Sequence, residues 1–302
     1  MVSRQFFRLP KELANPEVIN FLSSLLAHIQ DAYTLSWKEV REDFIAWLNS
    51  RNLDPEYRQS IISNLDRFAP KISSPIDVSK LFSGLSRGQR HCLLYSIRNL
   101  FNFAELAGFP EFWIQKLRKA LPKDSIGVDN YVPSENEIEC SIRKLRRIPL
   151  KYQALYNLLL DSGLRLKEAI YLINNFQRLH DRLEIHEKFV CIPLFLLRRS
   201  KKSFYAYFLH GTVDLIRNNE EKLKPNASSH EFRKHGMVPA KYVRKFVFDK
   251  MIELDVPEAV ADFIQGRAPT TVGRKHYMAL KRQADRNYPK YANYIRRLKG
   301  GS

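Results

Sequence analysis

Apolar residues recur mostly three and four positions apart along this chain, the spacing that gathers them on one face of a helix. Ile19, Phe21, Leu22, Leu25 and Ile29 follow Asn15-Pro16-Glu17, an N-cap with proline at the first helical position. Val40, Phe44, Ile45 and Leu48 follow Ser36-Trp-Lys-Glu39, which has the spacing of a capping box. Asp54-Pro55-Glu56 opens a third helix through Ile61, Ile62 and Leu65. Ser86-Arg-Gly-Gln89 opens a fourth over Leu93, Leu94, Ile97, Leu100, Phe101 and Phe103, closed by Gly108. Pro110 starts a fifth through Phe112, Trp113 and Leu117. Of these aromatics, Phe101, Phe103, Phe112 and Trp113 read as core rather than as base-stacking groups.

Residues 121–133 break the rhythm with two prolines, a glycine and several polar residues, the composition of a linker. They are expected to separate a helical domain, 1–120, from a second domain, 134–302. There Ser134-Glu-Asn-Glu137 offers another capping box, for a helix through Ile138, Ile142 and Leu145 whose end is rich in cations: Arg143, Lys144, Arg146 and Arg147. Tyr152 to Leu160 is apolar enough to be a buried helix, and helix resumes from Leu166 to Leu172. Between Leu183 and Phe195, and again from Phe204 to Leu209, the period shortens towards two, the mark of strands. They would form a hairpin turning through Arg198-Arg199-Ser200-Lys201-Lys202. Pro239 opens a helix over 239–253, Pro257 opens another, and Leu280, Tyr288, Tyr291, Tyr294, Ile295 and Leu298 mark a C-terminal one. The expected fold is mainly α with one small antiparallel β-sheet.

Charge changes the picture. Fifty Lys and Arg stand against 32 Asp and Glu, a net charge of +18. The excess is spread among helices and aromatics, so a polyanionic partner, nucleic acid, is expected. Three scattered cysteines make neither a disulfide framework nor a zinc cluster. No apolar run is long enough to span a membrane, and the N-terminus lacks a signal-peptide h-region. No membrane partner and a cytoplasmic, nucleoid-associated location are therefore expected.

Ser162-Gly163-Leu164-Arg165-Leu166-Lys167-Glu168-Ala169 resembles the first arginine box of the tyrosine recombinase, or phage-type integrase, family. Lys241-Tyr-Val-Arg244-Lys245 stands where that family usually has His-x-x-Arg-His, and Gln265-Gly266-Arg267 stands at its Gly-His. Tyr277 follows ten residues after Arg267, where the family usually has nine. Lys241, Arg267 and the Lys275-His276-Tyr277 ending are most similar to integrases of archaeal viruses and plasmids. The resemblance covers most of 134–298; the N-terminal part resembles a core-binding domain only in kind.

It implies that Tyr277 is the nucleophile and that Arg165 and Arg244 clamp the scissile phosphate. Lys201 would protonate the departing 5′ oxygen, Lys241 would be a phosphate ligand or proton shuttle, and Arg267 would contact the same phosphate. Guanidinium groups suit this task because charge builds on the non-bridging oxygens in the transition state. No metal or other cofactor is expected, since arginines would do the neutralising. Lys202, Arg199, Lys245, Arg274, Lys275, Arg87 and Arg90 are candidate DNA-backbone contacts. The partner would be double-stranded DNA attachment sites, bound by a homotetramer.

Each piece has a plainer reading. Gly-Leu-Arg is a common helix start, and Lys241-x-x-Arg244 is a pair of the kind that fills solvated faces. Lys201 competes with Lys202, Arg198 and Arg199 for the acid role. Tyr288, Tyr291 and Tyr294 recur at helical spacing, as packing residues do; that stripe could dock on a neighbour or within the chain. His230-Glu-Phe-Arg233-Lys-His235 looks more like the usual box than Lys241–Arg244 does. It places its arginine 44 residues before Tyr277 rather than 33, with Pro239 early in the helix that should follow. A type IB topoisomerase, or a DNA-binding regulator without catalysis, would share much of this pattern.

Overall fold

The computed structural model describes residues 16, 17, 20, 33–124, 127, 129–198, 201–267 and 274–300, without the side chains of 197, 198, 201, 202 and 274–278. The helix expected from Asn15 through Ile29 lies outside the described residues except at Pro16, Glu17 and Asn20, which are helical. The chain divides into two compact units, Met1–Val128 and Asp129–Ser302.

The first unit holds α1 (Trp37–Ser50), α2 (Pro55–Phe68), α3 (Pro75–Leu81), α4 (Arg87–Leu106) and α5 (Glu111–Lys119). Asp54 caps α2 by accepting from Glu56 N at 2.9 Å. Ser86 and Gln89 form the expected reciprocal box at the start of α4. Ser36 does not cap α1 with its side chain. It belongs instead to β1 (Leu35–Ser36), paired antiparallel with β2 (Lys71–Ile72), and Trp37 N donates to Pro70 O. That second sheet, and α3, were not foreseen. Leu35, Trp37, Phe44, Leu65, Leu100, Phe101 and Trp113 fill the core. Phe103 joins them, whereas Phe112 is 48% exposed.

The second unit begins with α6 (Glu135–Lys144), capped by the Ser134–Glu137 box. Next come α7 (Leu150–Ser162), α8 (Leu166–Asn174) and the single turn α9 (Phe176–Leu179). A three-stranded antiparallel sheet follows, β3 (Glu184–Ile185), β4 (Val190–Arg198) and β5 (Lys201–Phe208), in that order. Pairing runs to Arg198 opposite Lys201, so both lysines of the expected turn start the strand. The remaining helices are α10 (His210–Arg217), α11 (Pro225–Lys234), α12 (Ala240–Glu253), α13 (Glu258–Ile264) and α14 (Arg274–Leu298).

α7 is the hub, packed against α8, α10, α12, α14 and β5. This explains why Leu155, Tyr156, Leu158, Leu159 and Leu160 are buried round its whole circumference. The C-terminal helix docks within the chain. Tyr288 and Tyr291 are fully buried and donate to Asp161 O at 3.0 Å and Leu160 O at 2.6 Å. Buried Asp161 accepts from Leu209 N and Thr212 Oγ1 through one oxygen and from Lys299 Nζ through the other. Lys281 holds α14 to the sheet, its amine 2.6 Å from Glu184 and 2.8 Å from Asp285. Among the described residues, no helix is long and apolar enough to cross a membrane.

Candidate functional site

Two helix ends make the frame of the site. α7 stops at Gly163, whose φ of +60° lies in the left-handed region that glycine enters without strain. A Cβ there would come within 2.4 Å of Gln265 Nε2. α13 stops at Gln265 and Gly266; Gly266 has φ +71°, and a Cβ would meet Ser203 Oγ at 2.5 Å. The last carbonyls of a helix have no partner inside it and carry the negative end of the macrodipole. Here arginines fill that need. Arg244, from α12, donates through Nη1 to Gly163 O and Gln265 O, both at 2.7 Å. Arg165, just before α8, donates to Gly266 O at 2.8 Å and to Glu168 at 2.8 Å. Glu168 also accepts from Arg165 N, fixing the turn from which the side chain leaves. Gln265 closes the frame by donating to Arg244 O at 2.9 Å.

Among the described residues, those bonds leave Arg244 Nη2 enclosed with no hydrogen-bond partner. Burial, then Arg165, then Arg267 push the Arg244 guanidinium down to about 9. A cation held where its charge is disfavoured, with a spare inward donor, is arranged to receive an anion. Arg267 joins the group, stacked on the Phe248 ring at 4.7 Å and 3.3 Å from Asp262.

Lys241 pairs with Asp129, which holds its amine above the ordinary range and therefore protonated. Lys245 turns its amine to Asp129 and to Tyr131 O at 3.0 Å, so in the free protein it ties down the start of this unit. Lys201 and Lys202 open β5, and Ser203 beside them touches Gly266. At about 3.3 Å per residue, the backbone of Lys201 lies about 7 Å from that contact. Tyr277, Arg274 and Lys275 lie in the first turn of α14, and their side chains are outside the described residues. Arg199 lies outside them altogether. In the other unit, Arg87 and Arg90 are exposed at the start of α4.

Arg165, Lys241 and Arg244 line a cleft of about 470 Å³. Arg233 and Ser229 of α11 line it too. The Arg233 box and the Lys241–Arg244 box compete as alternatives in the sequence; the fold brings both helices to one cleft. Arg244 is the enclosed arginine and Arg233 the exposed one. Among the described residues, no three His, Cys, Asp or Glu side chains gather as a metal cage would require.

A family model described as archaeal phage integrase matches residues 130–294, just over half of the chain. The chain belongs to the archaeal phage integrase family. Among solved structures it is similar to a lambda integrase tetramer bound to a Holliday junction, at 12% identity over 87% of this chain and 89% of that one, with a TM-score of 0.59. It is also similar to a lambda integrase(75-356) dimer bound to a COC' core site, at 13% identity over 78% and 97%, with a TM-score of 0.57. Identities this low speak for the fold alone. A sequence search of curated proteins finds no match.

Proposed function

We propose that the protein is a site-specific DNA recombinase that cuts and rejoins strands through a 3′-phosphotyrosyl intermediate, integrating or excising a mobile element. The Tyr277 phenol gives up its proton to water as its oxygen attacks the scissile phosphorus; a bond forms between them, and the bond from phosphorus to the 5′ oxygen breaks. Lys201 gives the departing oxygen its proton. Arg165 and Arg244 neutralise the charge that builds on the non-bridging oxygens, and Arg267 adds to that field. Lys241, kept protonated by Asp129, fits a phosphate ligand better than a proton shuttle. The phosphotyrosyl bond conserves the energy of the broken one, so a 5′ hydroxyl can reverse the step without ATP.

The observation that carries this reading is the enclosed Nη2 of Arg244, unpartnered among the described residues, on an arginine that lines one cleft with Arg165 and Lys241. A phosphodiester oxygen supplies what that donor lacks. Recombination joins four strand ends, so the working unit is a tetramer on two DNA sites; the tetrameric junction complex of lambda integrase supports this assembly. The helical N-terminal unit serves as the core-binding domain, with Arg87 and Arg90 on the DNA backbone, while the unit from Asp129 is catalytic.

A nicked suicide substrate carrying the element's attachment core tests the chemistry. Wild type should give a covalent protein–DNA band on a denaturing gel, and Tyr277→Phe should give none while binding the same DNA with unchanged affinity. A band of equal strength from Tyr277→Phe would remove Tyr277 as the nucleophile.

A further inference from the structure

The cleft holds more cations than one phosphate needs. Arg165 is engaged by Glu168 and Gly266 O, Arg244 Nη1 by Gly163 O and Gln265 O, and Lys241 by Asp129. Arg233 also lines the cleft, and among the described residues its side chain has no hydrogen-bond or ion-pair partner. Its nearest acidic neighbour in sequence, Glu231, is occupied by His235 at 3.1 Å. Ser229 lies four residues before Arg233, so the two share one face of α11. Among the described residues, no carboxylate lines the cleft itself. Glu168 and Asp129 pair with Arg165 and Lys241, so Arg233 and the Nη2 donor of Arg244 are the groups left for an anion.

Size and depth argue for a second anion. The cleft offers about 470 Å³, more than a single phosphate fills. The free donor of Arg244 is enclosed, whereas Arg233 is exposed, which makes an inner and an outer position. Successive phosphates of one strand would occupy such a pair.

Building on the strand-cleavage reading, we propose that Arg233 and Ser229 form a second anion subsite, which holds the phosphate next to the scissile one. The subsite fixes the strand in register so that the inner phosphate meets Arg244. Specificity does not arise here, because a phosphate carries no base identity.

Two measurements on the full chain test it. The first compares cleavage of the suicide substrate with and without an uncharged methylphosphonate at each phosphate flanking the scissile one. Wild type should cleave one of the two neutralised substrates roughly tenfold more slowly, the loss expected from one charge-assisted contact. Arg233→Ala should be slowed by the same factor on native DNA and lose nothing further on that neutralised substrate. Arg233→Lys should recover part of the loss. Additive losses from the variant and the methylphosphonate would overturn the subsite. No covalent complex from wild type would overturn the strand-cleavage reading and the subsite with it.

The second measurement is the salt dependence of binding to the same duplex. Arg233→Ala should reduce the slope of log K against log salt by about 0.9. Arg178→Ala should leave it unchanged, since Arg178 lines a separate cleft with Glu220 and Glu221. An unaltered slope in Arg233→Ala overturns the contact even where binding and cleavage by wild type are intact.

Discussion

Arg244 ties two backbone carbonyls and, in the proposed function, also receives the incoming anion; Arg244→Gln separates the two roles. Burial, Arg165 and Arg267 together push its pKa well below the ordinary arginine value, to about 9. At 1.36 kcal/mol per unit, this opposition to its charge is on the order of 5 kcal/mol against the folded state. The sign follows from the depressed cation: the cost is fully present below pH 9 and is relieved as pH rises towards the unfolded value. Two charge-assisted bonds, to Gly163 O and Gln265 O, act the other way. At about 1.5–3 kcal/mol each, they offset about 3–6 kcal/mol. The two terms nearly cancel, so Arg244→Gln should change the free energy of urea unfolding at pH 7 by less than about 2 kcal/mol. Strand cleavage by the variant should nonetheless fall by about 10²–10³, the loss for one preorganised donor to a developing oxyanion. Sulfate provides the link between the two results. It should raise the melting temperature of wild type, by an amount equivalent to about 2.7 kcal/mol at a hundred times its Kd, and raise that of the variant by clearly less, since only the outer position at Arg233 is left. A destabilisation of about 4 kcal/mol or more would mean that the guanidinium is chiefly a structural tie. An equal response of both proteins to sulfate would place the anion elsewhere.

Gly266→Ala should destabilise the protein by about 2 kcal/mol or more, since the new Cβ sits at positive φ and 2.5 Å from Ser203 Oγ. Because Gly266 O is the acceptor that holds Arg165, covalent-complex formation should fall as well; a variant with wild-type melting temperature and activity would refute the frame described above. The docking of α14 should weaken in acid through Glu135, whose carboxyl is held below its usual 4.5 first by the Tyr294 hydroxyl and then by Lys250. That contribution is fully present above pH 4.5 and is lost as pH falls through the lower native value, so the difference in urea midpoint between wild type and Tyr294→Phe should shrink between pH 5 and pH 3. A difference that stays constant across that range would show that Tyr294 acts through packing alone.

What could be read from the residues beforehand follows the range of the interactions involved. The boxes at Ser86–Gln89 and Ser134–Glu137 formed because both partners lie within one turn. The box at Ser36–Glu39 had the same spacing and failed, because Ser36 is claimed by a strand partner, Lys71, far along the chain. Two-residue strands carry no period, so β1 and β2 left no trace in the pattern. Ser74-Pro75-Ile76-Asp77 is different: its capping box was plain in the residues and was passed over. Arg233 was set aside because one box had to be chosen, a choice that the fold does not make.

Arg165 and Arg244 were legible because a side chain has an identity that can be matched. The groups that hold them are backbone carbonyls, which every residue has. Only the glycines betray those carbonyls. Gly163 and Gly266 both stand at positive φ, and both lack a Cβ where one would strike Gln265 or Ser203. Each arginine therefore needs a left-handed helix end packed closely enough to present its oxygen. Gly-Leu-Arg and Gln-Gly-Arg thus pair a helix stop with a cation. The glycine belongs to the proposed anion site as much as the arginine does, because it sets where the guanidinium is anchored and which of its donors is left over.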